Sequence, residues 1–240
     1  EAMYAWAACE HGLLLSAPTG TGKTLVAEAA VYEGLRTGKG VYYSTPRIDL
    51  ETVKRFHLHQ KADYWFHDEV DQQSLYALSQ YLPNGILVSH VDRLDEYSFR
   101  SSLPSSLCLG WIADGQAFDL TKAKQLTEQY RVVRHLLIGE WYPLTPFRAR
   151  QGWLGSQYHR NDLGEGMILV FRREGSPETS IRVRLRGLEN SAVYELRDQS
   201  GGSVIERSGA SLTSGLEIAI PNVPGSTLLV YRRKGQSPQQ

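Results

Sequence analysis

The sequence predicts an α/β fold followed by an all-β domain, and three observations predict it. A short apolar run, GLLLS, leads through a glycine-rich loop into a helix-patterned segment and then a second apolar run, GVYYSTP. Between residues 85 and 139, apolar runs of strand length are followed by a stripe at helical spacing. From residue 148 helical periodicity stops, and short runs separated by Gly, Pro, Ser and Asn replace it.

Composition sets the outer limits. The 240 residues carry 26 Lys plus Arg and 26 Asp plus Glu, so no net charge draws the chain to nucleic acid or an anionic membrane. At 41% hydrophobic the chain can bury a core. No apolar run has the length of a membrane span, and no signal peptide is legible. Glu1 falls inside the helix-patterned EAMYAWAACEHG, so the protein is expected to start upstream. Cys9 and Cys108 are far apart and read as buried thiols in a reducing compartment, which places the protein in the cytoplasm.

GLLLS at 12–16 is the first expected strand, and APTGTGKT at 17–24 follows it. Strand, glycine loop and helix in that order is the context of a phosphate loop. Gly20 and Gly22, with Thr21 between them, let the backbone close and turn its N–H groups towards a triphosphate. Lys23 would reach the β- and γ-phosphates, and the Thr24 hydroxyl would bind Mg²⁺. ATP and Mg²⁺ are therefore the expected ligands. Leu25, Ala29, Tyr32 and Leu35 recur at helical spacing, with Gly38 as C-cap. GVYYSTP at 40–46 completes a partial P-loop βαβ unit, parallel to the first strand.

APTGTGKT, with Ala17 at its head, and YYSTPR resemble the start of a superfamily-two DEAD/DEAH helicase, as does EAMYAWAACEHGLLLS before them. The resemblance covers residues 1–46. It implies ATP binding and, by helicase analogy alone, nucleic acid as a partner. The family's acidic box, Ser-Ala-Thr motif and paired arginines do not follow. DEVD at 68–71 comes too early and after YWFH instead of an aliphatic strand. A phosphate loop without those groups can hold nucleotide but not hydrolyse it efficiently.

After residue 46 the pattern changes. GILVSHV (85–91) and SLCLGWIA (106–113) read as parallel strands covered by helices. Leu120, Ala123, Leu126, Tyr130, Val133 and Leu137 form a helical stripe over 119–139. This is the rhythm of a (β/α) barrel, in which functional side chains sit at the C-terminal ends of strands. RIDLET, KADYWFHDEVDQ and YALSQYLPNG, in that order, resemble the C-terminal part of the family thirty-six α-galactosidase-type glycoside hydrolases. LPSSLCLGWIADG resembles that family's final barrel strand, and the helix after it with WYPLTP resembles what closes the barrel.

The resemblance implies an α-galactoside-type sugar as substrate and needs no cofactor. It places Asp49 on the family's catalytic acid/base, Asp63 on a sugar-hydroxyl ligand and Trp65 on a stacking platform. Asp49 is equally readable as the N-cap of the helix begun by LETVKR. Trp65 and Tyr64 are more readily read as packed aromatics. His57, His59 and His67 suggest a metal cluster without a fixed third ligand, and polar-network histidines are the stronger reading. The family's nucleophile lies on an earlier strand, whose place residues 1–46 occupy.

Residues 148–232 read as an antiparallel β-sandwich built from GMILVFRRE, TSIRVRLRGL, SAVYELRDQ, GSVIERSG, SGLEIAIPN and STLLVYRRK. YHRNDLGEGMILVFRR resembles the small C-terminal domain of the same galactosidases. In IRVRLR, Ile181, Val183 and Leu185 face one way and Arg182, Arg184 and Arg186 the other. That arginine row is a solvated sheet face or, less readily, a phosphate grip. Residues 233–240 are an expected disordered tail.

The expected organisation is therefore a chimera: 1–46 a helicase start, 47–147 the last strands and helices of a (β/α)8 barrel, then the sandwich. The expected function is a truncated α-galactosidase-like hydrolase joined to an ATP-binding segment, inactive alone. The alternatives are a nucleic-acid-binding helicase fragment and a non-catalytic carbohydrate-binding module. An incomplete barrel should leave strand edges unpaired.

Overall fold

The computed structural model describes Ala29, Tyr32, Glu33, Arg36, Thr37, and residues 59–60, 68–112, 118–148 and 151–235. Cα packing divides the chain into two compact units, Glu1–Pro46 and Arg47–Gln240. In the first unit Ala29, Tyr32, Glu33 and Arg36 are helical, within the segment that the apolar spacing assigns to a helix. Tyr32, assigned to the apolar stripe of that helix, is exposed.

The second unit begins with a three-stranded parallel sheet, β1 (His59–Gln60), β2 (Leu87–Val91) and β3 (Ser106–Leu109), in that spatial order. Helix α1 (Asp68–Leu78) connects β1 to β2, and α2 (Glu96–Ser102) connects β2 to β3. Helix α3 (Leu120–Val133) follows, capped by the Asp119 carboxylate, which accepts the Lys122 N–H at 2.9 Å. The stripe is buried at Ala123, Leu126 and Val133 of α3 and at Leu137 beyond it, as its spacing predicts, but Leu120 is exposed. The helix ends at Val133 and tightens into a 3₁₀ turn over Arg134–Leu136.

The β-rich part is larger than the spacing predicts. Strands β4 (Glu140–Pro143), β5 (Trp153–Arg160), β6 (Glu165–Arg172), β8 (Val193–Asp198), β9 (Ile205–Ser208) and β11 (Gly225–Arg233) form one six-stranded sheet. Its order is β4-β5-β6-β11-β8-β9, and every described pairing is antiparallel. Strands β7 (Ser180–Val183) and β10 (Leu216–Ala219) form a separate ribbon, preceded at β10 by the short helix α4 (Gly209–Ser214). Two unequal sheets thus face each other, as an all-β C-terminal part requires.

Three expectations are corrected. Trp141–Pro143, given by the sequence to the barrel's closing segment, pair with Ser156–Tyr158 at the margin of the antiparallel sheet. Strand β5 has no counterpart among the expected strands. Arg233 is not tail: it ends β11, and its N–H donates to the Gly164 carbonyl at 2.8 Å.

The large sheet is buried on both faces, and this sets the layering. One face, with Leu154, Tyr158, Met167, Leu169, Phe171 and Leu228, packs on Phe99, Leu103, Leu126, Val133 and Leu136 of the helical layer. The other face, with Ile168, Val170, Tyr194, Leu196 and Tyr231, packs on Val183, Leu212, Leu216 and Ile218 of the ribbon and α4. Alternation along β6 delivers Met167 and Leu169 to one core and Ile168 and Val170 to the other. Burying each such side chain stabilises by roughly 1.5–3 kcal/mol.

Helix α2 touches both β2 and β11. Its serines make this close approach possible: Ser98, Ser101 and Ser102 are all buried. Ser102 Oγ donates within reach of the His90 carbonyl at 3.0 Å, and Ser101 Oγ bonds back to the Tyr97 carbonyl at 2.7 Å. Two buried arginines pin the loops around β6. Arg172 donates to the carbonyls of Ile220, Pro221 and Ser176, and Arg173 to those of Gly152, Arg148 and Gln151.

Candidate functional site

A parallel α/β sheet gathers functional side chains where its strands end, because the loops there are free to vary while the strands fix their origins. In this chain that rim is the ends of β1, β2 and β3. β2 ends in His90-Val91 and runs into Asp92 and Arg93; β3 ends in Leu109 and runs into Gly110 and Trp111.

His90 and Asp92 meet at the rim, with Nδ1 2.8 Å from Oδ1, both side chains partly exposed. They lie directly over Gly110. A Cβ there would sit 2.6 Å from both Asp92 Oδ1 and His90 Cε1, so any larger residue would push these two side chains aside. The Gly110 N–H donates to the Val91 carbonyl at 2.9 Å, extending the β2–β3 pairing by one residue. Trp111 follows, its Nε1 donating to the Arg93 carbonyl at 3.3 Å and its ring tilted against Phe99 and Phe118.

Asp68, the first residue of α1, faces the same rim. Its Oδ1 accepts the Ser98 hydroxyl at 2.8 Å, and its Oδ2 pairs with Arg93 Nη2. Arg93 Nε also lies 3.4 Å from Asp95, the N-cap of α2. Burial pushes the Asp68 carboxyl above the usual range, against the opposing pull of Ser98 and Arg93. Carboxylates beside an indole are the chemistry that holds sugar hydroxyls and stacks on a ring face. Burial that disfavours the charged form also moves a carboxyl towards the range in which it can donate a proton.

The sequence missed His90, Asp92 and Trp111. The signal was present: each lies at or just past the end of an apolar run, where a parallel sheet carries function. DEVD, weighed as an acidic metal box, is instead the first turn of α1, where carboxylates suit the helix dipole. Among the described residues no group of three or more His, Cys, Asp or Glu could hold a metal ion. Gly20, Thr21, Gly22, Lys23, Thr24, Asp49, Asp63 and Trp65 lie outside the described residues, as do His57 and His67. Cys108, read as a buried thiol, is free and exposed.

The row Arg182, Arg184 and Arg186 is exposed. Arg182 stands opposite Glu217 in the ribbon register, a charge-paired solvated face. One interior cavity of about 20 Å³ lies between Gln72, Tyr76, Tyr158 and Phe171, room for a single water and not for a sugar. No helix among the described residues is long and apolar enough to cross a membrane.

The fold is similar to parts of solved glycoside hydrolases. The α-galactosidase AgaB of Geobacillus stearothermophilus, of family thirty-six, is similar at a TM-score of 0.57 and 19% identity, over 72% of this chain and 25% of that one. The galactosidase domain of the α-galactosidase-sucrose kinase AgaSK is similar at 0.55 and 18%, over 70% and 25%. The noncanonic maltogenic α-amylase AmyB of Thermotoga neapolitana is similar at 0.54 and 11%, over 88% and 59%. At these identities the likeness is one of fold, and this chain spans about a quarter of the length of the galactosidases. No protein-family profile matches the sequence, and no curated protein does.

Proposed function

We propose that Arg47–Gln240 is the C-terminal part of an α-galactosidase-type glycoside hydrolase that recognises α-galactosides but does not hydrolyse them alone. The observation that carries this reading is the succession of elements. Parallel strands linked by helices, then an antiparallel sheet packed on those helices, follow the family thirty-six galactosidases over some 70% of the chain. Two further structures of similar fold, of the family thirty-six α-galactosidase AgaA from Geobacillus stearothermophilus, are complexes with raffinose and with stachyose.

In this reading the site is the rim described above. By the family resemblance Asp49 is the acid/base, Asp63 a hydroxyl ligand and Trp65 a stacking surface, and His90, Asp92 and Trp111 of the rim are further candidates for sugar contacts. Asp68 is the rival for the proton-donating role, because its carboxyl is the one that burial pushes up. Retaining hydrolysis needs a second carboxyl about 5 Å from the first, and the family's nucleophile has no counterpart by motif in this sequence.

The test is calorimetric titration of the full chain with raffinose, beside an assay with an aryl α-galactoside. Binding that Trp65→Ala weakens about tenfold, the loss of a stacked aromatic, without turnover in either protein, is the expected result. Absence of binding removes the reading, and turnover abolished by Asp49→Ala removes the claim of inactivity.

Residues 1–46 are proposed as a nucleotide-binding segment joined at Pro46–Arg47, holding ATP through Gly20–Thr24 with Mg²⁺ at Thr24. Two observations favour this: Ala29, Tyr32, Glu33 and Arg36 are helical where the loop should feed a helix, and the boundary between the two compact units falls where the sequence pattern changes. Fluorescent ATP titrated against the chain and Lys23→Ala decides it; equal signals remove the proposal.

A further inference from the structure

His159, in β5, is 1% exposed and stands at one end of a relay of hydrogen bonds. Its Nδ1 is 3.0 Å from Tyr231 Oη, and that hydroxyl accepts from Gln157 Nε2 at 2.8 Å. The same Nε2 donates to the Arg186 carbonyl at 2.8 Å, and Gln157 Oε1 accepts the Arg186 N–H at 2.9 Å. Gln157 is fully buried. Both hydrogens and the oxygen of its amide are therefore committed, and one orientation of the amide satisfies every partner.

Arg186 lies in the loop 184–189, between β7 and β8. The two ends of this loop have anchors of their own. Leu185 is buried, and its N–H donates to the Leu212 carbonyl at 3.1 Å. The Glu189 N–H donates to Tyr194 Oη at 3.0 Å, and the Glu189 carboxylate pairs with Arg233 at 2.6 Å. Between these anchors Gln157 holds the Arg186 backbone, and Gly187 passes over the imidazole. A Cβ on Gly187 would lie 2.9 Å from His159 Cδ2, and φ there is +72°.

With the imidazole neutral, Tyr231 donates to Nδ1 and accepts from Gln157. A proton on Nδ1 removes that acceptor. Tyr231 Oη has no other hydrogen bond among the described residues, so its own proton must then turn to Gln157. The amide can receive it only by turning over. That sets Oε1 against the Arg186 carbonyl and Nε2 against the Arg186 N–H, and both bonds to the loop are lost.

We propose that His159 is a pH-operated latch on the loop 184–189, in which uptake of a proton by the imidazole turns the Gln157 amide and releases the Arg186 backbone. The two-state element is the amide, and the charge of one buried ring selects its orientation. Around the His159–Tyr231 pair stand Glu140 and Tyr142 of β4, Asp162 of the turn after β5, Glu165 of β6, Tyr194 of β8 and Arg186 of the loop. Burial resists the charging of His159, whereas Glu140 and Asp162 favour it, so the latch opens below the ordinary histidine value of 6.5.

The experiment is nuclear magnetic resonance of the ¹⁵N-labelled full chain, titrated from about pH 7.5 to about pH 4.5. Ring nitrogen shifts report the state of His159, and amide exchange, corrected for its intrinsic pH dependence, reports the Arg186 N–H. Nδ1 should be unprotonated at the start, and protection of Arg186 should fall about tenfold as the ring becomes charged, well beyond any change in the amides of β6. His159→Gln, which keeps an acceptor for Tyr231 and takes up no proton, should hold that protection constant. Four results overturn the proposal. They are a proton on Nδ1 at the start, Arg186 protection that survives the charging of the ring, a loss that the β6 amides share in full, and a ring that stays neutral until the chain unfolds. All four are read on the wild-type chain, so the proposal stands or falls even if the variant fails to fold.

Discussion

Arg100, on the seven-residue helix α2, donates from Nη1 to the carbonyl of Ser226 at 3.2 Å, joining the α/β layer to the start of β11 across 126 residues of sequence. The same guanidinium donates to Gln129 Oε1 on α3 at 3.2 Å and to Ser200 Oγ after β8 at 2.8 Å. Only 1% of Arg100 is exposed, and of its acceptors Gln129 is buried with it. The helical layer and the large sheet are therefore one cooperative body in this region.

Arg100→Met tests that coupling. The methionine keeps the apolar stem and removes every donor, leaving the Ser226 carbonyl and Gln129 Oε1 without their partner. Unpaired buried acceptors cost about 1–3 kcal/mol each, so a loss of roughly 2–4 kcal/mol is expected. Urea unfolding followed by tryptophan fluorescence measures it. A change below about 1 kcal/mol would show that the layers do not depend on this contact.

Gly166 tests the packing of the large sheet. It pairs with Tyr231 across β6 and β11, and a Cβ on it would lie 2.2 Å from Tyr231 Oη and 2.4 Å from the Tyr158 carbonyl. Neither obstacle is the tip of a flexible chain, since both tyrosines are buried. Gly166→Ala should cost about 3 kcal/mol, the upper range for overpacking, and lower the urea midpoint. Retention of the wild-type midpoint would mean that Tyr231 repacks freely.

What the sequence disclosed and what it withheld divide along one physical line. Leu126, Val133 and Leu137 were legible because burial on one side of α3 imposes a period on the sequence. Leu87–Val91 and Ser106–Leu109 were legible as apolar runs. Strand β5 was not, because Ser156, Gln157 and His159 are polar and buried together. Gln157 Nε2 donates to Tyr231 Oη and to the Arg186 carbonyl, both at 2.8 Å, and its Oε1 accepts the Arg186 N–H at 2.9 Å. A strand whose partners satisfy its polar groups leaves no hydrophobic pattern to read. Arg172 and Arg173 were obscure for the same reason, as carbonyls from distant loops receive them. At the site, Asp68 was visible as an acidic residue, but its burial against Ser98 was not.

Asp68 yields a prediction with a definite sign. Its ordinary value is 3.8, and burial raises it in the folded protein. A carboxyl with a raised folded value supports folding below its unfolded value and loses that contribution as pH rises through the folded value. Asp68→Asn removes the titration while keeping an acceptor for the Ser98 hydroxyl. The Tm of the variant minus that of the wild type should therefore increase between pH 4 and pH 7. The lost pairing with Arg93, which is itself well exposed, offsets this only slightly. A difference that shrinks over that range would mean that Arg93 outweighs burial.

His159 yields the opposite sign. It is buried in β5, with Nδ1 3.0 Å from Tyr231 Oη. Gln157 donates to the same hydroxyl, so the arrangement that satisfies it has the tyrosine donating to Nδ1 of a neutral imidazole. Burial lowers its value from 6.5, although Glu140 and Asp162 nearby favour the charged form. The unfolded chain then binds the proton more readily, so this contribution is complete above about pH 6.5 and falls as pH drops below it. Protonation would also set an N–H against the tyrosine hydroxyl hydrogen and force the network to rearrange. Wild-type Tm should fall from pH 7.5 to pH 5, and His159→Gln, which leaves an acceptor for Tyr231, should flatten that fall. A variant that retains the full wild-type slope would place the acid sensitivity elsewhere in the chain.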